Sequence, residues 1–174
     1  MKELSADQLE KCLVYLQHVV THKKHVLDAM HKMARYYLMK SQLLKALQIM
    51  ERASMHDISK FYEDEFIGYT EGIELSSNGK WRFDTHLALP SVELHRKRNP
   101  HHFEFWTESN GFHPSQMDDL SIIEMCCDWY AMSVQFGNSV HEWFSRQTDM
   151  QEKMPKEVLD RVEYYLGILE YTDI

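Results

Sequence analysis

Apolar positions recur every three or four residues along most of the chain, the period of helices that bury one face. Leu9, Leu13, Leu16 and Val20, then Val26, Met30 and Met33, follow this spacing. They come after Ser5 and Gln8, a pair three apart that reads as a capping box. The pattern predicts one long helix, or two abutting ones, ending near Lys40. Ser41 is the expected cap of a second helix, with Leu44, Leu47 and Met50 facing inward and His56-Asp57 at its end or just past it. Ser59 is the expected cap of a third helix carrying Phe61, Phe66 and Tyr69. Ser76, Ser77, Asn78 and Gly79 mark residues 74–84 as turn or loop. A helix near Pro90 leads to His95 and breaks at Asn99-Pro100, because a residue before proline avoids the helical region. Ser109, Asn110, Gly111 and Pro114 mark a second loop over 107–116. A strong helix then runs from about Met117 to Gln135, ended by Gly137 and Asn138. Two more follow, at about 139–148 and from Pro155 to Tyr171, with Pro155 suited to a first helical turn. No stretch alternates convincingly enough to be a strand. The expectation is a single all-α domain over 1–174, a bundle of six or seven helices.

Composition agrees with this reading and narrows the partners. Six glycines and four prolines in 174 residues let long segments run unbroken, and 44% hydrophobic with 26% charged residues is an ordinary globular balance. A formal charge of −8, from 19 basic and 27 acidic residues, argues against broad nucleic-acid binding. It leaves room for a small anionic ligand, because a bound metal dominates the field of its own pocket. Cys12 stands alone and Cys126 and Cys127 are neighbours, which is no disulfide framework. A reduced, cytoplasmic location is the expectation. The polar start of the chain has no signal-peptide pattern, and no apolar run approaches the roughly 20 residues of a membrane span. No membrane partner is expected, and homo-oligomerisation stays open.

Histidine changes the picture, with 11 in the chain. His56-Asp57 offers a nitrogen and an anionic oxygen donor side by side. His18, His22 and His25 share one helix face at i, i+4 and i+7. His95 precedes His101-His102 across the Asn99-Pro100 break. Glu124 and Asp128 lie one turn apart, Asp128 within the mostly apolar stretch Met125-Cys126-Cys127-Asp128-Trp129-Tyr130. A carboxylate there is costly unless it is paired or bound to a metal. Arg96, Lys97 and Arg98 read first as a solvated face, and Trp106 and Trp129 as core. The chain carries no Gly-rich phosphate loop, nucleophile elbow or zinc-finger cysteine spacing.

The order His22, His56-Asp57, His95, His101-His102, Asp128 resembles the HD superfamily of metal-dependent phosphohydrolases. His56-Asp57-Ile58-Ser59-Lys60 is similar to the His-Asp-x-x-Lys form of many members. The extra His95 and the His101-His102 pair resemble the subset with two or more metals, although that subset's Gly-Tyr-Pro element is missing. A small bacterial and phage family is similar over His56 to Phe61, Asn99-Pro100-His101-His102 and Glu124-Met125 to Asp128-Trp129. The resemblance covers residues 22–132 and implies a helical fold.

It further implies that His22, His56, Asp57 and Asp128 hold a first divalent ion, with Asp57 able to bridge. His95, His101 and His102 would hold a second. Lys60 would touch a phosphate oxygen, so Lys60 and Asp57 are the implied catalytic pair. Apart from the resemblance, His18, one turn before His22, reads first as a solvated or packed residue and second as a supplementary or supporting group, and Glu124 reads equally as a group orienting a ligand histidine from behind or as a helix-surface carboxylate. The ion would be Mn, Fe, Ni, Co or Zn, one or two per chain. The implied reaction is hydrolysis of a nucleotide or other small phosphoester by a metal-activated water. Two alternatives share the residue pattern: an HD-type di-iron oxygenase, and a non-catalytic metal or nucleotide binder.

Overall fold

In the computed structural model, which describes residues 4–76 and 80–172, the capping box forms as the sequence predicts. The Ser5 amide donates to Gln8 Oε1 at 2.9 Å and the Gln8 amide to Ser5 Oγ at 3.2 Å. Helix α1, Ala6–Met39, follows without interruption. Then come α2 (Leu43–Met55), α3 (Glu63–Glu71), α4 (Leu89–Arg98), α5 (Asp119–Phe136), α6 (Val140–Ser145), α7 (Thr148–Lys153) and α8 (Lys156–Tyr171). The protein is all-α, with eight α-helices among the described residues where the sequence predicts six or seven. The short α7 accounts for the extra one. A two-stranded antiparallel hairpin, β1 (Ile73–Leu75) and β2 (Trp81–Phe83), pairs Ile73 with Phe83 and Leu75 with Trp81 in the span read as loop. Three-residue strands are too short for an alternating pattern to register. Ser77, Asn78 and Gly79 lie outside the described residues.

The chain packs as two compact units. One comprises residues 1–21 and 57–99, the other 22–56 and 100–174. The first has a small core of Tyr15, Val19, Tyr69, Ile73, Ala88 and Val92. Its helices α3 and α4 approach closely at Gly68, where a Cβ would stand 1.9 Å from Ser91 Oγ. The second unit has the larger core, built on Val26, Met30 and Met33 of α1, Ile49 of α2, Ile122 to Cys127 of α5, and Val158, Val162 and Leu166 of α8. Residues Ser121 to Cys127 are all buried, as expected of a helix apolar on every side. Gly137, at φ 69°, ends α5 in the left-handed conformation that glycine adopts without strain.

Several inward assignments are overturned. Leu9, Leu13, Leu16 and Val20 are exposed, while Tyr15 and Val19 of the same helix are buried. On α2, Leu44 and Leu47 are exposed, and Ala46, Ile49 and Ala53 face the core. In both helices two apolar stripes compete, and the smaller or aromatic side chains fit closer packing. Ser41 does not cap α2. It turns through φ 59°, and Gln42 takes the cap position without a side-chain bond. Ser59 does not open α3 either. It sits inside a 3-10 turn, Ile58–Phe61, and Tyr62 takes the cap, leaving Phe61 exposed. Pro155 occupies the cap of α8, one place before its first turn.

Cys126 and Cys127 are fully buried, and burial pushes both thiols far above their ordinary range. Cys12 is partly exposed. Thiol titration of the native protein is therefore expected to label one of the three cysteines, Cys12, and all three after denaturation. Native labelling of the Cys126-Cys127 pair would contradict the packing of α5.

Candidate metal centre

In the second unit, α2 delivers His56 as its C-cap residue, 1% exposed. One turn earlier Arg52 anchors α2 to the start of α5. Its guanidinium reaches Ser121 Oγ at 3.1 Å, Glu124 Oε2 at 3.3 Å and Asp118 Oδ1 at 3.6 Å. Asp118 is the N-cap of α5, accepting from the Ser121 amide at 2.9 Å. The Lys23 ammonium donates to the His56 carbonyl and closes the end of α2 against α1. These contacts fix His56 relative to Glu124 and Asp128.

Glu124 faces two imidazoles with one oxygen, Oε1. His56 Nδ1 lies at 2.9 Å and His101 Nδ1 at 3.2 Å. Burial opposes ionisation of this carboxyl, but hydrogen bonds from His101 and His56 outweigh it and hold the pKa at about 2. An ionised Glu124 assigns the proton of each ring to Nδ1 and the lone pair to Nε2, the tautomer that metal-ligating histidines adopt when a carboxylate stands behind them. His22 Nε2, from α1, lies 3.1 Å from Asp128 Oδ1. Donor atoms of His22, His56 and Asp128 lie within 4.8 Å of one another, as do those of His56, His101 and Glu124. The His56 and His101 rings are 4.5 Å apart, and His102 stands beside His101 at 4.4 Å.

The first unit holds a second constellation. Asp57 opens the 3-10 turn at φ 54°, a left-handed conformation that aspartate tolerates better than most residues. Its carboxylate is 1% exposed and meets Lys60 Nζ at 2.7 Å and His95 Nε2 at 3.1 Å. Behind His95, Nδ1 faces Glu65 Oε2 at 2.8 Å. Ser59 Oγ donates to the same oxygen at 2.9 Å, and Arg98 donates to Glu65 Oε1 at 2.7 Å. Asn99 ties the end of α4 down, donating to Ser59 Oγ at 2.9 Å and to the His95 carbonyl at 2.8 Å. Tyr69 presents its ring edge-on to His95, and Tyr15 stacks on Tyr69 at 5.3 Å with an interplanar angle of 11°. His18 rests edge-on against Trp81.

The sequence singles out His22, His56, Asp128, His101 and Glu124, and the structure gathers them in the second unit. It gathers Asp57, Lys60 and His95 in the first. Arg98 of the basic run supports Glu65, while Arg96 and Lys97 are exposed. The sequence does not mark Arg52, Glu65 or Tyr15, and it marks Ser59 and Asn99 only as an expected cap and a helix break within the similar segments. Glu65 belongs to Glu63-Asp64-Glu65, which looks like an ordinary acidic first turn, yet Glu65 is 0% exposed. A polar residue just after the His-Asp pair was the one available signal, at Ser59.

The donor sets fit a metal ion. Ligand atoms bound at about 2.1 Å with angles of 90–109° lie about 3.0–3.4 Å apart. The 3.1 Å separations of His22 from Asp128 and of His95 from Asp57 are of that size.

Fold and site together define an all-helical protein with buried histidine–carboxylate groups able to hold a metal ion. The chain belongs to DUF5662, a family of unknown function, which it matches over residues 12–167. No curated protein and no solved structure matches it. Among the described residues no helix is long and apolar enough to cross a membrane.

Proposed function

We propose that the protein is a metal-dependent phosphohydrolase acting on a nucleotide or another small phosphoester. The observation that carries this reading is the placing of buried carboxylates behind histidines. Glu124 faces Nδ1 of His56 and His101, and Glu65 faces Nδ1 of His95. Three buried rings are thereby set as Nε2 donors, an arrangement useful for binding a cation and expensive to build for packing alone. His22, His56 and Asp128 would hold one ion. The sequence pattern adds Asp57 as a bridge and His95, His101 and His102 as holders of a second, and that assignment is part of the proposal.

Bound there, a divalent ion supplies a water of lowered pKa and withdraws charge from a phosphoryl oxygen. Lys60, a point charge beside Asp57, attracts the anionic substrate and neutralises charge as the ester bond breaks. Tyr69, under the Lys60 ammonium at 5.8 Å, limits the positions that ammonium can take. Asp57 keeps Lys60 and His95 at fixed distances from one carboxylate.

The test uses protein purified without a histidine tag, assayed against nucleotides and a generic phosphoester with Mn, Co, Ni, Fe or Mg. Metal-dependent turnover is expected. Asp57→Asn, which keeps the left-handed preference and loses the charge, is expected to lower it at least about 100-fold, the scale of removing one electrostatic group at a reacting centre. Equal rates for Asp57→Asn and wild type, or turnover indifferent to chelation, would overturn the proposal. Iron-dependent oxygen uptake in place of hydrolysis would replace it with an oxygenase.

A further inference from the structure

Tyr15 is a buried phenol with a polar end that its surroundings do not explain. The residue is 3% exposed, and among the described residues no group accepts from or donates to its hydroxyl. Its ring is held on two sides, stacked on Tyr69 and edge-on to Phe66 at 5.3 Å. A hydroxyl buried this way costs free energy that phenylalanine would not, so packing alone favours phenylalanine here. Tyr69 also touches the ring of His95 and lies under the Lys60 ammonium, so the stack leads from Tyr15 to the Asp57–Lys60–His95 group of the same unit. Burial and the nearby charges of Asp57 and Glu65 push the phenol far above its ordinary range, so it stays a donor at any working pH.

We infer that Tyr15 is a specificity-determining hydrogen-bond donor to a tetrahedral oxyanion held at the Asp57–Lys60–His95 group, reading one phosphoryl oxygen of the substrate. The inference rests on the phosphohydrolase reading and adds a named contact to it. A donor whose ring is held by a stacked Tyr69 and an edge-on Phe66 loses little freedom when the oxygen arrives. It adds a directed contact to the undirected charge of Lys60.

Tyr15→Phe removes one oxygen atom and keeps the stack, so it isolates the hydroxyl. Wild type and Tyr15→Phe are loaded with Mn, their metal content is measured, and inorganic phosphate is titrated calorimetrically. The melting temperatures of the metal-free proteins are compared. Tyr15→Phe is expected to hold as much Mn as wild type, to melt at the same or a higher temperature, and to bind phosphate about 10- to 100-fold more weakly, the scale of a hydrogen bond to a charged group. Unchanged phosphate affinity in Tyr15→Phe, with wild type binding both Mn and phosphate, would overturn the role of Tyr15 alone. It would leave the hydroxyl to a buried water. A lowered melting temperature with unchanged phosphate affinity would assign it to structure and overturn the role too. Wild-type protein that takes up no metal would overturn the phosphohydrolase reading and this inference together.

Discussion

His56→Ala is expected to weaken metal binding by more than about 100-fold, beyond the roughly 10- to 100-fold that removal of an outer-shell partner costs. His56 supplies a donor to both histidine–carboxylate groups of the second unit. Its loss leaves only His22 and Asp128 of the first group and only His101 and Glu124 of the second. The measurement is metal content after dialysis, joined to the shift in melting temperature on adding metal. An ion at 100 times its dissociation constant stabilises wild type by about 2.7 kcal/mol, or several degrees for a chain of this size. His56→Ala should lose that shift. Glu124→Gln, which keeps a hydrogen-bonding group behind the ring, should fall between the two. His31→Ala, at an exposed position on α1, should behave as wild type. Full metal content in His56→Ala would show that the cluster is an imidazole–carboxylate packing motif and not a metal centre.

How much of this was legible beforehand depended on the kind of signal. Helix α5 was clear because its ends carry chemistry of their own, Gly137 and Asn138 at one side and a long apolar run inside. The break after α4 was clear for the same reason, since Asn99-Pro100 is a local backbone constraint that disfavours helix whatever packs around it, and Asn99 is extended. Which face of α1 turns inward was not legible. Leu9, Leu13, Leu16 and Val20 keep perfect helical spacing and are nonetheless exposed, while Tyr15 and Val19 fill the core. Periodicity reports that a stripe exists and is silent on which of two overlapping stripes meets a partner.

The site divided along a similar line. Residue types with rare chemistry, such as His56-Asp57 and the lone carboxylate Asp128, stood out against their neighbours. The residues that orient them did not, because Glu65, Arg98 and Arg52 have the composition of any helix surface. Their role comes from burial and from distance, and both arise only when segments far apart in sequence pack. Glu65 and His95 are 30 positions apart, and His56 and Glu124 are 68 apart.

The largest stability effect is expected at Glu124. In the metal-free protein Glu124→Ala should cost about 3–5 kcal/mol, the range for removing one member of a buried charged group and leaving the others uncompensated. Those left behind are the His56 and His101 rings, buried to 1% and 3% side-chain exposure, and the Arg52 guanidinium, which at 30% can still reach water. The depressed carboxyl leads to a similar figure. Its pKa of about 2 lies below the ordinary carboxyl value of 4.5, so the native state favours the ionised form by about 3 kcal/mol. A group depressed in this direction contributes its full stabilisation above pH 4.5 and loses it as the pH falls toward 2. The difference between wild type and Glu124→Ala should therefore be full at neutral pH and shrink below about pH 4. Urea denaturation of both proteins, without metal, at pH 7 and at pH 3.5, measures it. A loss below about 1 kcal/mol at pH 7 would mean that the imidazoles find other partners when Glu124 is gone, and that the carboxylate does not set their orientation.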